Sequence, residues 1–193
     1  MPSGDAQKIR FAPDGAIYLA PTGGGLVLPT DVGDGATPPT GYKALGYVSD
    51  AGVTITPAIQ TTPLNAWQSA APVLYNVDSA SFQLSATLIE ANKLVTENFF
   101  GATWTEVMDQ SSQPTGDYRL DLSTTPDLQE FSVVVDWKYK TNLWRAVVGR
   151  AMVTERGAIT LQRTQNQSYE LTINAMDNSG SLGYILTNES MTA

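Results

Sequence analysis

Two segments of this 193-residue chain alternate apolar and polar side chains, and this two-residue period constrains the fold more than any other feature. One face of residues 131–139 is apolar and consists of Phe131, Val133, Val135, Trp137 and Tyr139. One face of residues 77–89 is apolar as well, and it consists of Ala80, Phe82, Leu84, Ala86 and Leu88, opposite uncharged serine, threonine and glutamine side chains. A period of two indicates β-strands that bury one face.

Six further segments have strand-like composition bounded by turn residues. They are residues 15–20, 42–57, 143–153, 159–163, 169–176 and 183–186. We expect residues 42–57 to form two strands joined by a turn at residues 49–52, where Asp50 and Gly52 suit a tight reversal. A short turn at residues 140–142 predicts a hairpin between the two strands that flank it.

The spacing of apolar residues changes from the two-residue period of a strand to that of a helix only between residues 91 and 101. Ala91, Leu94, Val95 and Phe99 follow the spacing of one helical face, and Gly101 stands where a helix C-cap is expected. Many strands, one helix and no βαβ rhythm predict a mainly β fold, a sandwich or barrel with one flanking α-helix. The length suits a single domain over residues 1–193.

Three segments lack a clear period. Residues 1–14 are predicted to be a polar N-terminal arm, and residues 21–41 a loop rich in glycine and proline. Residues 54–80 contain a stretch that is apolar without alternation, which is typical of a loop that buries its side chains against something else. Its candidate interface residues are Leu64, Trp67, Val73, Leu74 and Tyr75. The alternative is that these side chains fold back onto their own sandwich.

The chain contains no cysteine and no histidine. This excludes disulfides, thiolate zinc sites, cysteine nucleophiles and the Ser-His-Asp relay. We therefore expect no enzymatic activity, no metal and no cofactor, although a hydrolase that uses carboxylates alone stays open. Glu90 and Glu97 are interpreted as charge at the helix N-terminus and on its surface, and Asp31 with Asp34 as a turn.

The net charge is −8, from 11 basic and 19 acidic residues. A protein that grips phosphate needs a basic face, and the sequence indicates none, so stable nucleic-acid binding is not expected. The N-terminus lacks the pattern of a signal peptide, and no apolar run reaches the length of a membrane span. These features predict a cytosolic chain that does not bind membranes.

The order of hydrophobic patterns between residues 45 and 104 resembles a known family. The matching pieces are Leu45-Gly46-Tyr47-Val48, Gly52-Val53-Thr54, the stretch around Trp67, the strand at residues 80–89 and a helix that ends in Asn98-Phe99-Phe100-Gly101. Together with the later strands at residues 131–140 and 169–172, they are similar to the tail tube (major tail) proteins of siphophages, particularly those that infect actinobacteria.

The resemblance implies a structural virion protein with a β-sandwich-like subunit and one flanking helix. It implies hexameric rings that stack into the phage tail tube, through which DNA reaches the host without specific binding. Residues 54–80 are then the inter-ring loop. The implied partners are further copies of this chain and the tape measure, tail-terminator and baseplate or tail-tip proteins. The implied site of synthesis is the host bacterial cytoplasm.

Two other classes of non-enzymatic protein fit the same patterns. One is a carbohydrate-binding or adhesive β-sandwich module, for which the aromatic face of residues 131–139 is the ligand platform rather than core. The other is a different virion part, such as a decoration or tail-terminator protein. An exposed aromatic face favours the first class, and an exposed apolar segment at residues 54–80 favours assembly.

Overall fold

The computed structural model of the chain describes residues 4–5, 8–126 and 128–191. Within this described part, the chain forms ten strands and one α-helix. The strands are β1 (Asp14–Pro21), β2 (Lys43–Ala44), β3 (Val48–Leu64), β4 (Leu74–Leu88), β5 (Trp104–Met108), β6 (Pro114–Leu120), β7 (Phe131–Tyr139), β8 (Asn142–Arg156), β9 (Tyr169–Ala175) and β10 (Tyr184–Thr187). The helix, α1, spans Lys93–Phe100. The fold is mainly β with one helix, as predicted.

Eight of the strands form one antiparallel sheet in the order β2-β1-β7-β8-β9-β4-β3, with β10 also paired to β8. The first part of β8 lies between β7 and β10, and its second part pairs with β9. The long strand β8 therefore belongs to two halves of the sheet, β2-β1-β7-β8 and β8-β9-β4-β3. Strands β5 and β6 pair only with each other.

The main core lies between the two halves of the sheet. Ile17 and Val133 from one half line the same small cavity as Leu84 and Leu171 from the other, so the halves face each other. Val95 of α1 is fully buried in this core. One continuous sheet thus folds around its apolar face into a β-sandwich-like unit, which confirms the predicted fold class.

Burial alternates on the inner part of β4, at residues 84–88, but not on β7. Leu84 and Leu88 of β4 are buried, while Ser85 and Thr87 point the other way and stay partly exposed. On β7, residues 131–136 are all buried, because a second layer covers the outer face of this half. The core role predicted for the apolar face of β7 is confirmed, and Phe131 and Val135 are enclosed in the main core.

The glycine- and proline-rich segment at residues 21–41 supplies that second layer. Leu26 and Leu28 pack on a smaller cluster that includes Tyr18 and Val134. Gly35 has a φ of +68°, and a Cβ there would lie 2.6 Å from Cδ2 of Leu143. The close approach of this loop to the sheet therefore depends on glycine.

Short polar contacts fix the turns of the same loop. The Asp31 carboxylate accepts the Gly33 N–H at 2.9 Å, and the Asp34 carboxylate accepts the N–H groups of Ala36 and Thr37 at 2.9 Å each. The two N–H groups lower the pKa of Asp34 to about 2. Both aspartates are turn residues, as the sequence indicated.

A buried ion pair joins the loop to the sheet. The guanidinium of Arg145 donates to both carboxylate oxygens of Asp136, at 2.7 and 2.6 Å, and to the Asp31 carbonyl oxygen at 2.9 Å. Both members of the pair are almost fully enclosed. The carboxylate at position 136 therefore neutralises a cation that would otherwise be buried under the loop.

Helix α1 is capped at both ends. The Asn92 side chain accepts the Val95 N–H, and Gly101 adopts a left-handed φ of 63° and donates to the Glu97 carbonyl oxygen. The predicted C-cap at Gly101 is confirmed. Glu90 lies before the helix and accepts the N–H of Tyr47 at 3.1 Å, so this carboxylate holds the chain that enters β3.

Two secondary-structure predictions are wrong, and one hairpin was not predicted. Residues 49–52 do not turn the chain, because β3 continues through them as a bulge opposite β4. Residues 159–163 form no strand; Gln162 and Gln165 make only an isolated bridge. The β5–β6 hairpin was not predicted, since its many exposed positions give no alternation.

The described part of the N-terminal arm contacts the rest of the chain. Residues 1–3 and 6–7, which the arm was predicted to include, lie outside the described residues. Arg10 pairs with Glu189, the Phe11 ring lies 5.7 Å from that of Tyr139, and β1 already begins at Asp14. The arm therefore ends one residue earlier than predicted.

Replacing Asp136 with alanine should lower the free energy of unfolding by about 3–5 kcal/mol, because Arg145 would stay buried without its carboxylate. Urea unfolding of the unassembled subunit measures this. The control is Lys138→Ala, which breaks the 2.8 Å pair with Asp14 at the exposed neighbouring position. That loss should stay below about 1 kcal/mol. Equal losses in the two variants would contradict the role given to the buried pair.

Candidate assembly surface

The segment at residues 54–80, predicted to be a loop, is mostly the outer part of a β-hairpin. Strands β3 and β4 pair in antiparallel fashion from Val53 opposite Ala86 to Leu64 opposite Leu74, with one register shift between Gln60 and Thr61. Only residues 65–73 form a loop. The loop prediction is therefore wrong. Alternation is missing because both faces of this part of the hairpin are exposed, so no buried face selects apolar residues at every second position.

The hairpin projects beyond the rest of the sheet. Strand β9 covers β4 only from Gln83 to Leu88. From Pro57 opposite Phe82 to the tip, the two strands therefore have only each other as partners, over roughly 25 Å at the usual rise per residue. A two-stranded hairpin is marginal in water without something to pack on.

All five candidate interface residues lie at or next to the hairpin tip, and all are exposed. Leu64 and Leu74 are a cross-strand pair, Val73 donates its N–H to the Leu64 carbonyl oxygen at 2.9 Å, and Tyr75 lies opposite Pro63. Trp67, in the loop, is 99% exposed. The structure therefore brings the five together and places none of them on its own sandwich. Their role as an interface stays a prediction.

Two more exposed apolar residues on the same hairpin, Ile59 and Val77, were not predicted from the sequence. The signal that points to them is the lack of charge. Asp78 is the only charged residue between positions 51 and 89, and its carboxylate accepts from Thr62 and Asn76. Free protein surfaces usually carry mixed charges, and a large exposed apolar patch marks an interaction site.

Strand β3 is also one end of the sheet, and among the described residues no strand pairs with its outer edge. An exposed edge presents backbone N–H and C=O groups that can pair with another chain. Both the tip and the edge of this hairpin are therefore suited to contact with a second polypeptide.

A second hairpin, β5–β6, carries charged side chains. It is anchored by Trp104, whose indole N–H donates to the Thr96 hydroxyl at 2.8 Å and whose backbone N–H donates to the Glu97 carboxylate at 2.9 Å. Six acidic residues and one arginine lie between positions 101 and 130. Three of these acidic residues, Glu106, Asp109 and Asp117, lie within residues 104–120 of the hairpin, so it carries more charge than the outer part of β3–β4.

Three other kinds of site were tested against the described residues: an aromatic ligand platform, a metal site and a membrane-spanning helix. Phe131, Val133 and Val135 are buried, so the face proposed as an aromatic platform is core rather than a ligand site. Among the described residues, no group of three acidic, cysteine or histidine side chains is placed to hold a metal ion. Within the same residues, no helix is long and apolar enough to cross a membrane.

A β-sandwich with a projecting hairpin that carries a cluster of exposed apolar side chains fits the class of structural proteins that assemble with copies of themselves. Comparison with known families agrees with this class. The family model described as phage tail tube protein matches residues 2–191, and the chain belongs to this family. No curated protein sequence matches the chain. Family membership makes the chain a structural component of a phage tail, one that assembles into a tube.

Substituting Trp67 with alanine should change the free energy of unfolding by less than about 0.5 kcal/mol, because the side chain contacts almost nothing in its own subunit. The matched control is Trp137→Ala, since Trp137 packs on the main core and stacks on Trp144 at 6.0 Å. That loss should be at least about 2 kcal/mol. Denaturant unfolding of both variants checks the contrast, and a large loss for Trp67→Ala would show that the tip is packed.

Proposed function

We propose that the chain forms hexameric rings that stack into the tail tube, and that the β3–β4 hairpin of each subunit docks on the adjacent ring. The observation that carries the proposal is the free-standing outer half of the hairpin, where Trp67 is almost fully exposed and its apolar neighbours are more than half exposed. Such a hairpin reaches well past its own sandwich, so it contacts a neighbouring subunit more readily than its own core.

The free energy of docking on the adjacent ring favours an ordered hairpin over a flexible loop. Burying one large apolar side chain contributes about 1.5–3 kcal/mol, and the tip offers several. Because the cross-strand pairs already order the backbone, docking costs less conformational entropy than docking of a disordered segment. Each ring repeats the contact once per subunit, so weak single contacts add up along the circumference.

The proposal includes partners and location. In the tail, the tube contacts a tape measure protein, a tail-terminator protein and baseplate or tail-tip proteins, and phage DNA passes through the lumen without sequence-specific contacts. The subunit is made in the host bacterial cytoplasm and ends in the virion. Its work is structural, and no step of bond making or breaking is assigned to it.

Removing the projecting part of the hairpin should abolish tube formation without unfolding the subunit. Residues 58–81 are replaced by Asn-Gly, a two-residue turn that joins Pro57 to its partner Phe82 and leaves Phe82 packed against the core. The truncated subunit should unfold in urea in one cooperative transition, as the full chain does, and remain monomeric in sedimentation. Negative-stain microscopy, with tube fragments added as seeds, should show tubes only for the full chain. Tubes formed by the truncated subunit would refute hairpin docking.

A point substitution tests the tip more narrowly. Trp67→Ser should slow seeded assembly and raise the concentration that assembly requires, because docking loses its largest apolar side chain. Leu161→Ser is the matched control, since Leu161 is also exposed but lies far along the chain from the hairpin. Light scattering at matched concentrations measures both variants. Equal assembly rates of Trp67→Ser and Leu161→Ser would contradict docking through Trp67. Failure of the unaltered chain to assemble would also count against the proposal.

A further inference from the structure

A cleft of about 600 Å³ lies where helix α1, the end of β1 and the stretches at residues 121–125 and 129–131 meet. Three of its lining residues, Leu19, Ala20 and Phe131, are apolar and almost fully buried, so they form its floor. Volumes of this size are typical of sites that hold a ligand. The subunit therefore has an open site with an apolar floor.

The walls of the cleft are mostly acidic and are flanked by exposed apolar side chains. The charged residues that line it are Glu97, Asp121, Glu130 and Lys43. Leu122 and Leu128, which neighbour two lining residues in the sequence, are 70% and 49% exposed. The cleft thus combines apolar surface with hydrogen-bond acceptors, and its surroundings carry the kind of exposed apolar groups that mark a contact surface.

The cleft lies at the end of the sheet opposite to the tip of the β3–β4 hairpin. Strand β4 runs from Leu74 at the tip to Leu88, which is roughly 45 Å at the usual rise per residue. Leu88 pairs with Tyr169, and the centre of the Tyr169 ring lies 5.2 Å from that of Phe99 in α1. Helix α1 and the cleft beside it therefore lie at the root of the hairpin, out of reach of its own tip.

We propose that this cleft is the receptor for the hairpin tip of a second copy of the chain in the adjacent ring, with the Trp67 side chain inserted between α1 and residues 121–125. This inference rests on the proposed function, since it needs stacked rings. It goes beyond it by assigning the surface on which the hairpin docks.

Placement at opposite ends is what the stacking of identical subunits requires. A contact that repeats in one direction joins two different surfaces of the same subunit, because a surface that pairs with its own copy closes after one pair. The tip and the cleft are two such surfaces, separated by the length of β4. Each subunit can therefore insert its tip into one neighbouring ring and receive a tip from the other.

The chemistry of the two surfaces is complementary. The loop at the tip, residues 65–73, contains no charged residue, and its tryptophan is almost fully exposed. Aromatic side chains that fill a pocket are typical hot spots of protein interfaces. A buried indole N–H needs an acceptor. The Glu97 carboxylate accepts the backbone N–H of Trp104, and a carboxylate has sites for several hydrogen bonds, so it can accept the indole N–H as well.

Because the chain has no cysteine, introduced cysteines can locate the contact. The variant Gln68→Cys/Thr103→Cys has one cysteine beside Trp67 and one on an exposed part of the cleft wall. Tubes of this variant, treated with a short bis-maleimide, should give a ladder of covalent multimers on a denaturing gel, since every subunit donates one tip and receives one. Tubes co-assembled from the two single variants should give dimers and no longer species.

Gln68→Cys/Val27→Cys is the matched control, because Val27 is 79% exposed and lies outside the cleft. It should stay monomeric on the gel after the same treatment. No ladder from Gln68→Cys/Thr103→Cys in intact tubes, or an equal ladder from the control, would overturn the assignment and leave the cleft to another occupant, such as a different tail protein. Failure of the unaltered chain to form tubes would instead refute the proposed function, so the two failures are distinguishable.

A charge reversal tests the same contact without cross-linking, and it decides the question if the cysteine variants do not assemble. Gln68→Glu should raise the concentration that seeded assembly requires several-fold, because the new carboxylate meets the acidic wall of the cleft. Adding Asp121→Lys should restore assembly, since Asp121 is exposed and its substitution breaks only a surface pair with Arg119. Gln68→Lys, the matched control, should assemble like the unaltered chain or better. Equal impairment by Gln68→Glu and Gln68→Lys, or no rescue by Asp121→Lys, would contradict docking in this cleft.

Discussion

The whole structure depends on strand β8 pairing with both halves of the sheet. Ala151 is the position where this happens, since it lies opposite Phe131 of β7 and opposite Ala175 of β9. It is fully buried, and its small side chain lets the two halves fold toward each other around the core. A register bulge lies on each side of it, between residues 131 and 133 of β7 and residues 153 and 155 of β8. Bulges bend strands, so the bend that creates the sandwich coincides with them.

That single bend in the sheet also produces two outer faces, of which one is covered and the other is exposed. On one face, Arg145 and Asp136 are buried beneath a glycine-rich loop, and their mutual neutralisation makes this burial tolerable. On the other, Ser85 and Thr172 stay open and uncharged. The subunit thus has one covered sheet face and one exposed sheet face. The projecting hairpin extends from the half of the sheet whose outer face is exposed. This asymmetry is what a building block of a tube requires.

The sequence predicted the parts of the fold where one face is buried. The strand with Leu84 and Leu88, the β7–β8 hairpin and the helix that ends at Gly101 all follow from local patterns, because burial on one face imposes a period. The outer half of the β3–β4 hairpin could not be predicted in this way. Neither of its faces is buried in the subunit, so prolines and polar residues interrupt any period there.

The exposure of the five candidate residues agrees with the sequence prediction, whereas their secondary structure does not, and their role as an interface stays a prediction. Trp67 and Leu64 were identified because apolar residues without alternation have no place in an ordinary surface loop, and this reasoning does not depend on whether the segment is strand or loop. The uncharged run at residues 51–89 and the acidic run at residues 101–130 are local features of the sequence, but the pairing partner of each residue depends on long-range contacts. A single sequence does not encode these contacts in a local pattern.

The two prolines of β3 have a further consequence for how the protein avoids aggregation. Pro57 and Pro63 lie on the strand that forms the open end of the sheet, and each lacks a backbone N–H. A foreign strand that tried to extend the sheet along the outer hairpin would find its hydrogen-bond ladder interrupted at both places. Amyloid-like stacking is thereby discouraged, while docking through side chains such as Trp67 needs no ladder at all. The segment most exposed before assembly is therefore also protected against the wrong kind of association.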